Sequence, residues 1–231
     1  SIILDWENLS EEVNWSSAPA YIQDYRRNSI EETQKMVGAS IQNISLSDTV
    51  VIWMQWNTDL LRNELFVDGK KTPQFDWLNR LCDKVRALGL NPIIKMGMVD
   101  HPEVSKQTVP FVEEKNIMIT DKENVAQSNP RAIFDKDANH KLIANAKYHI
   151  LLCSSVSNEI VLNEKPIIAT GRSWFNGLDI FHEPKSWDED FSAPQINFSA
   201  RNKWINWWLS RQVKLQDTGQ RIIDLVNQAK S

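Results

Sequence analysis

The sequence has little of what several specialised protein classes need. Its 231 residues include two cysteines, Cys82 and Cys153, both in apolar patterns and without the spacing of a disulfide or a metal site. No stretch approaches the roughly 20 apolar residues of a membrane span, and neither a secretory signal nor an internal repeat is visible. These absences argue against a membrane-spanning or disulfide-stabilised protein and favour a reducing, cytoplasmic environment.

Charge and aromatic content restrict the possible classes of function further. The formal net charge is -4, and no basic patch with interleaved aromatics appears, so we expect no nucleic-acid partner. No Asp-x-Asp pair with apolar flanks stands out, because the acidic run Asp188–Asp190 lies in a polar loop; we therefore predict no metal requirement. The ten tryptophans can be large core anchors or platforms that stack on sugar rings.

Apolar runs alternate with helical patterns along most of the chain. This order predicts an α/β fold with a parallel sheet and right-handed crossovers. We expect a short N-terminal segment, 1–45, and a Rossmann-like domain, 46–231, that ends in two helices. The predicted strands are Thr49–Trp56, Pro92–Val99, Asn116–Thr120, Tyr148–Cys153 and Ile167–Thr170. The predicted helices are Asn28–Gly38, one opening at Pro73, Asp137–Ala146, Ser155–Asn163, Ala200–Gln212 and Leu215–Lys230.

The most informative stretch runs from Tyr148 to Gly177. A buried strand is followed by Ser154 and Ser155, where a helix begins. In open α/β sheets, ligands bind outside the carboxyl ends of strands, and a helix N-terminus with two hydroxyls suits a phosphate. The alternative for such a Ser-Ser pair is a helix N-cap, and one residue can serve both purposes. The stretch predicts a nucleotide or sugar-phosphate site.

Four motifs in order resemble one family, the bacterial capsule-polysaccharide glycosyltransferases that add Kdo from CMP-Kdo. They are Gln55 and Asp59 after the first strand, His101-Pro102 after the second, Ser154 with Glu159, and Lys165-Pro166 followed by Gly171 and Trp174–Gly177. These are retaining enzymes of GT-B architecture. The resemblance covers roughly Asp48 to Gly177, the half that binds the nucleotide sugar. Only about 45 residues precede the first strand here, so the acceptor half would be reduced, supplied by another chain, or cut away.

The resemblance implies a role for each matching residue. Asp59 would be the nucleophile or an electrostatic stabiliser of a retaining transfer, with Gln55 as an orienting hydrogen-bond donor. His101, next to Pro102, would bind the donor phosphate. The remaining donor contacts are expected from Ser154 and Ser155 to phosphate, Glu159 to ribose hydroxyls, and Arg172 to phosphate or substrate. Each also has a plain structural alternative, such as a turn cap for Asp59 or a solvated helix position for Glu159.

One departure from the family leaves the donor open. Val99 stands where the family usually has a lysine two residues before its histidine, so a neutral sugar on UDP is as suitable as a CMP-linked acidic sugar. The sequence thus predicts a retaining glycosyltransferase in polysaccharide or glycan synthesis, with hexosyl, pentosyl and Kdo transfer all open. It would need a nucleotide-sugar donor, a glycan acceptor and no cofactor.

Two other classes of function stay open at this stage. The first is a non-catalytic nucleotide-sugar or glycan-binding module that needs a partner to hold the acceptor. The second is a scaffold that uses the C-terminal helix, with Trp204, Trp207 and Trp208, to dock a partner or to lie in a membrane interface. The plainer interpretation of that helix is packing against the domain.

Overall fold

The computed structural model describes residue 6 and residues 8–54, 74–96, 112–152, 154–171 and 175–211. These residues belong to two compact units. One unit consists of 1–23 and 198–231, and the other of 24–197. The boundary between residues 45 and 46 stays a prediction.

The larger unit is built on one sheet of six parallel strands in the order β4-β3-β2-β1-β5-β6. The strands are β1 (Thr49–Trp53), β2 (Asn91–Lys95), β3 (Ile117–Thr120), β4 (Ala132–Phe134), β5 (Tyr148–Leu151) and β6 (Ile167–Ala169). Every recorded strand pair is parallel, with Trp53 of β1 level with Lys95 of β2 and Leu151 of β5. The predicted α/β class with a Rossmann-like parallel sheet is confirmed.

Six α-helices are described: α1 (Ala20–Lys35), α2 (Gln74–Ala87), α3 (Glu123–Ser128), α4 (Ala138–Asn145), α5 (Ser157–Leu162) and α6 (Phe198–Arg211). The predicted start of the first helix was wrong, because α1 begins eight residues before Asn28, so Asn28 and Ser29 lie inside it. The sequence also missed α3 and β4, which at six and three residues are too short to show a periodicity. The predicted helix Leu215–Lys230 lies outside the described residues.

One face of the sheet is apolar. Alternate residues of the strands, among them Val50, Ile52 and Ile150, pack against α2. From α2 the buried partners are Trp77, Leu78, Leu81, Cys82 and Val85. Burial raises the pKa of the Cys82 thiol to about 12, so this cysteine is a small hydrophobe of the core, as the sequence predicted.

A loop covers this apolar face further. The ring of Trp187 lies 4.2 Å from the guanidinium carbon of Arg80, and Lys84 lies 4.5 Å from the ring centroid of Phe191. The backbone of His182 continues the sheet beyond β6, since its N–H donates to Ile167 O at 3.0 Å and its carbonyl accepts from Ala169 N at 2.9 Å. The loop that contains Asp188–Asp190 therefore packs against α2 and the β6 edge of the sheet.

The other face of the sheet carries polar side chains among apolar ones. Side chains alternate along a strand, so Trp53, Lys95 and His149 point away from α2. All three are buried. Hydrogen bonds tie three helices of the larger unit together. The Asn145 Nδ2 of α4 donates to Met36 O at 2.8 Å, just after α1, and the Asn163 Nδ2 after α5 lies 3.5 Å from the Ser29 hydroxyl of α1.

The smaller unit contains the tryptophan-rich helix α6. Asn202 and Asn206 donate side-chain hydrogen bonds to backbone carbonyls of Ser10, Glu11 and Glu12 at 2.7 to 3.0 Å. Trp204 is buried, and its ring stacks on that of Trp208 at 6.3 Å between centroids. Burial of Trp204 agrees with the packing interpretation of this helix. Within the described residues, no helix is both long and apolar enough to cross a membrane.

Candidate functional site at the carboxyl edge of the sheet

The strand order creates a topological switch point between β1 and β5. From β1 the chain moves outward through β2, β3 and β4, whereas from β5 it moves the other way to β6. Connections on either side of such a point diverge and leave a crevice outside the carboxyl ends of the two strands, where ligands of open α/β sheets bind. Met54 and Leu152 follow the two strands directly, so this edge is where the predicted site begins.

Ser154 and Ser155 form a turn at this point, ahead of the helix. The carbonyl of Ser154 accepts from Ser157 N and that of Ser155 from Asn158 N, both at 3.1 Å. Helix α5 begins two residues later than predicted, and Val156 occupies its N-cap position without a side-chain cap bond. The Ser154 hydroxyl nevertheless accepts from Val156 N at 3.4 Å ahead of the helix, so the N-cap alternative stays open beside the phosphate role. Ser155 is exposed and Ser154 half-buried, so solvent reaches the turn that follows β5.

Glu159 lies in the first turn of α5 and is half-buried. Its partners come from three other elements: Tyr25 of α1, His140 of α4 and Asp121 after β3. Burial raises the pKa of Glu159 above its ordinary value, and the Asp121 charge acts in the same direction. The charge of His140 and a hydrogen-bonding contact with Tyr25 act against them. The environment contradicts the alternative of a plainly solvated helix position.

A buried ion pair joins β2 and β3 at the same edge. Lys95 Nζ lies 2.7 Å from Asp121 Oδ1 and donates a second hydrogen bond of 2.7 Å to the carbonyl of Met96. The side chains are 2% and 12% exposed. Burial acts to raise the pKa of Asp121, but the charge and hydrogen bond of Lys95 outweigh it and hold this pKa below its ordinary value.

Sequence reasoning missed this ion pair, although one signal was available. Lys95 is a charged residue inside an otherwise apolar strand run, at the end that faces the predicted site. Its partner is on another strand, 26 residues further along the chain. The pair therefore could not be read from local spacing.

A buried histidine lies on β5, separated from this ion pair by β1. The Trp53 indole N–H donates to His149 Nδ1 at 3.2 Å, so the neutral imidazole carries its proton on Nε2. Burial, helped by the Lys165 charge, lowers the pKa of His149 to about 3. The full burial of His149 indicates a structural role.

The ends of β5 and β6 are packed very closely. A Cβ atom on Gly171 would lie 2.9 Å from both Cα and Cβ of Leu152, a distance that side chains do not reach without a backbone shift. Next to it, the Thr170 hydroxyl accepts a 3.1 Å hydrogen bond from the Trp77 indole of α2. Glycine at this position therefore lets β6 approach the strand that leads into Ser154.

The other predicted site residues cannot be placed. Gln55, Asp59, His101, Pro102 and Arg172 all lie outside the described residues. Of the predicted set, the structure thus positions Ser154, Ser155 and Glu159, the two serines in the turn after β5 and Glu159 in the first turn of α5.

Two open depressions in the larger unit lie elsewhere. One, of about 500 Å³, lies near the amino edge of the sheet and is lined by Ser40, Asn43, Ser45, Ser47 and Asn145 among others. The second, of about 310 Å³, includes Asp179 and His182. Neither is lined by Ser154, Ser155 or Glu159. Among the described residues, no group of three or more His, Cys, Asp or Glu side chains is arranged to hold a metal ion.

The fold was compared with protein families, curated proteins and solved structures. No protein-family model and no curated protein matches the chain. The fold is similar to the solved structure of Thermosulfurimonas dismutans KpsC, described as a beta Kdo 2,7 transferase, with a TM-score of 0.40 and 13% sequence identity. The similarity covers 87% of this chain and 54% of that protein, so the chain spans about half its length. Similarity at this level does not transfer an activity. The all-parallel sheet itself is consistent with a Rossmann-like fold.

Proposed function

We propose that this chain binds a nucleotide sugar at the carboxyl edge between β1 and β5 and acts as a glycosyltransferase. The observation that supports the proposal is the switch point itself, with two serine hydroxyls and a half-buried carboxylate directly after β5. Hydroxyls and turn N–H groups suit phosphate oxygens, and a carboxylate suits the hydroxyls of a sugar. A nucleotide sugar contains both kinds of group, separated by a few bonds.

The proposed chemistry is transfer with retention from a UDP- or CMP-linked donor. The carboxylate of Asp59 attacks the anomeric carbon, and the bond from that carbon to the phosphate oxygen breaks. The acceptor hydroxyl then attacks the anomeric carbon and gives its proton to the nucleotide phosphate, while the bond to Asp59 breaks and the carboxylate is regenerated. His101 stabilises the negative charge that develops on the leaving phosphate. Gln55, Pro102 and Arg172 complete the donor contacts, and no metal is required.

The first test is donor binding by the whole chain. UDP-, GDP-, dTDP- and CMP-sugars are screened by thermal shift and by slow donor hydrolysis, because a ligand that binds only the folded state raises the melting temperature. We expect one donor to stabilise the chain and Glu159→Gln to weaken that effect. Glu123→Gln is the matched control, since Glu123 opens α3 after β3 at the same edge but away from the switch point.

Measurements on Asp59→Ala and on the unmodified chain distinguish a glycosyltransferase from a non-catalytic binding module. Asp59→Ala should abolish hydrolysis and transfer while donor binding stays nearly intact. Retained turnover in Asp59→Ala would remove that residue from the mechanism. Donor binding without turnover by the unmodified chain would indicate the non-catalytic binding module instead. If no donor binds, the nucleotide-sugar proposal is wrong.

A further inference from the structure

Asn176 and Gly177 lie at the tip of a turn to which the proposed function gives no role. The carbonyl of Phe175 accepts from Leu178 N at 3.3 Å, so the two residues occupy the central positions of a β-turn. Gly177 has a φ of +79°, a left-handed conformation that glycine adopts without steric cost. Phe175 and Leu178 are buried, whereas Asn176 and Gly177 are exposed. The turn is therefore anchored at both ends and open to water at its tip.

The Asn176-Gly177 pair has the chemistry of spontaneous deamidation. The Gly177 nitrogen gives up its proton to water or hydroxide and attacks the side-chain carbonyl carbon of Asn176. The bond from that carbon to Nδ2 breaks, and Nδ2 takes up a proton and leaves as ammonia. Water then opens the five-membered succinimide at either carbonyl, which yields aspartate or isoaspartate. Glycine favours this reaction because no Cβ shields the attacking nitrogen.

One carboxylate in the structure holds both of the reacting groups. The two carboxylate oxygens of Glu183 accept from Gly177 N at 2.9 and 3.1 Å, and one of them accepts from Asn176 Nδ2 at 3.1 Å. The nitrogen that must attack thus donates its proton to a negatively charged group, and such a hydrogen bond disfavours loss of that proton. The nitrogen that must leave is bound to the same carboxylate.

The position of Glu183 is set by the sheet. The residue before it, His182, donates its N–H to Ile167 O at 3.0 Å and accepts from Ala169 N at 2.9 Å, so this backbone is hydrogen-bonded to β6. The residue after it, Pro184, is buried, and Glu183 itself is half-buried. The contact with the turn therefore depends on the folded sheet, and unfolding removes it.

We propose that Asn176 is a deamidation site and that Glu183 protects it in the folded chain. The product carries a carboxylate where the amide now lies 3.1 Å from Glu183, and like charges at that distance repel each other. Isoaspartate also adds one atom to the backbone of the turn. A chain that deamidates while unfolded therefore cannot restore this contact on refolding. The proposal is independent of the proposed glycosyltransferase activity.

The test follows deamidation of the whole folded chain over days near neutral pH. Peptide mass spectrometry locates the loss of ammonia and gain of water at Asn176, and an isoaspartyl methyltransferase labels the isoaspartate. We expect Glu183→Ala to react roughly tenfold faster than the unmodified chain, because it loses a hydrogen bond to a charged group. Glu183→Gln keeps a neutral acceptor for Gly177 N, so its rate should lie between the two.

Three controls distinguish this protection from a general loosening of the loop. Asp188→Ala removes another exposed carboxylate of the same loop and should leave the rate unchanged. Asn176→Ser in the Glu183→Ala background should abolish the reaction at this site, which separates it from isoaspartate formed at Asp68-Gly69. In urea, the unmodified chain and Glu183→Ala should react at the same high rate, because unfolding removes the contact.

Two results would overturn the proposal. The first is that folded Glu183→Ala and Glu183→Gln react as slowly as the unmodified chain. The second is that the unmodified chain reacts equally fast in buffer and in urea. If Glu183→Ala loses its cooperative melting transition, the comparison rests on Glu183→Gln, which must still react faster than the unmodified chain. None of these outcomes depends on donor binding, so the proposed function stands or fails separately.

Discussion

The two faces of the sheet are built from different kinds of side chain. The face toward α2 is an apolar core with buried residues such as Ile94, Leu81 and Trp77. The opposite face contains a buried lysine, a buried histidine and, at its carboxyl edge, the carboxylates Asp121 and Glu159. Burying polar groups requires compensating partners, whereas burying apolar groups does not. The contrast indicates that the first face is stabilised by apolar burial, whereas the second depends on matched polar partners.

The largest expected effect comes from removing the buried cation. Lys95→Met leaves the Asp121 carboxylate without its buried partner and beside the more exposed Lys122, whose Nζ lies 3.5 Å away, and we expect a loss of about 3 kcal/mol in the free energy of unfolding, measured by urea denaturation. Ile94→Met, on the preceding residue and the apolar face, should cost less than about 1.5 kcal/mol because it roughly conserves volume. The double variant Lys95→Met/Asp121→Leu should recover most of the loss. Equal losses of unfolding free energy in Lys95→Met and Ile94→Met would contradict the difference between the two faces.

A smaller effect is expected where β5 and β6 touch. Gly171→Ala forces a Cβ against Leu152 and should cost about 1 to 3 kcal/mol. It should also weaken donor binding, because Leu152 leads into the Ser154 turn. Leu152→Ala in the same chain should not restore stability, since Leu152 Cα and Cβ are two of the atoms in conflict. Normal stability in Gly171→Ala would show that the two strand ends can separate freely.

A third effect is a pH dependence from the polar face, of about 2 kcal/mol between pH 7 and pH 5. Folding lowers the pKa of His149 to about 3, below the ordinary value near 6.5, so the unfolded chain binds the proton first. The stability contribution is complete above pH 6.5 and is lost as the pH falls toward 3, at about 1.4 kcal/mol per pH unit. His149→Gln keeps an acceptor for Trp53 and should flatten this slope in urea denaturation between pH 5 and 7. An unchanged slope would contradict the assignment of this pH dependence to His149.

The same contrast explains what the sequence could predict. Strands β1 and β5 were recognised because apolar runs of that length are typical of strands covered on both faces. Helix α1 was placed wrongly because Asn28 and Ser29 are typical cap residues, whereas here Ser29 is buried inside the helix and lies near Asn163. Tertiary contacts decided that boundary.

The polar face was predictable only in part. Ser154, Ser155 and Glu159 are close in sequence, so their proximity follows from one strand–helix connection. Lys95 with Asp121, and Tyr25 with Glu159, come from separate elements. Such pairs depend on strand order and helix packing, which a single sequence without alignment does not specify.

The most direct test of the central claim is hydrogen–deuterium exchange of the whole chain with and without a stabilising nucleotide-sugar donor. We expect protection of the 154–159 segment, reduced by Glu159→Gln and unaffected by Glu123→Gln. Protection confined to residues 38–47 would place the ligand in the depression at the amino edge of the sheet. That result would contradict a nucleotide-sugar site at the switch point.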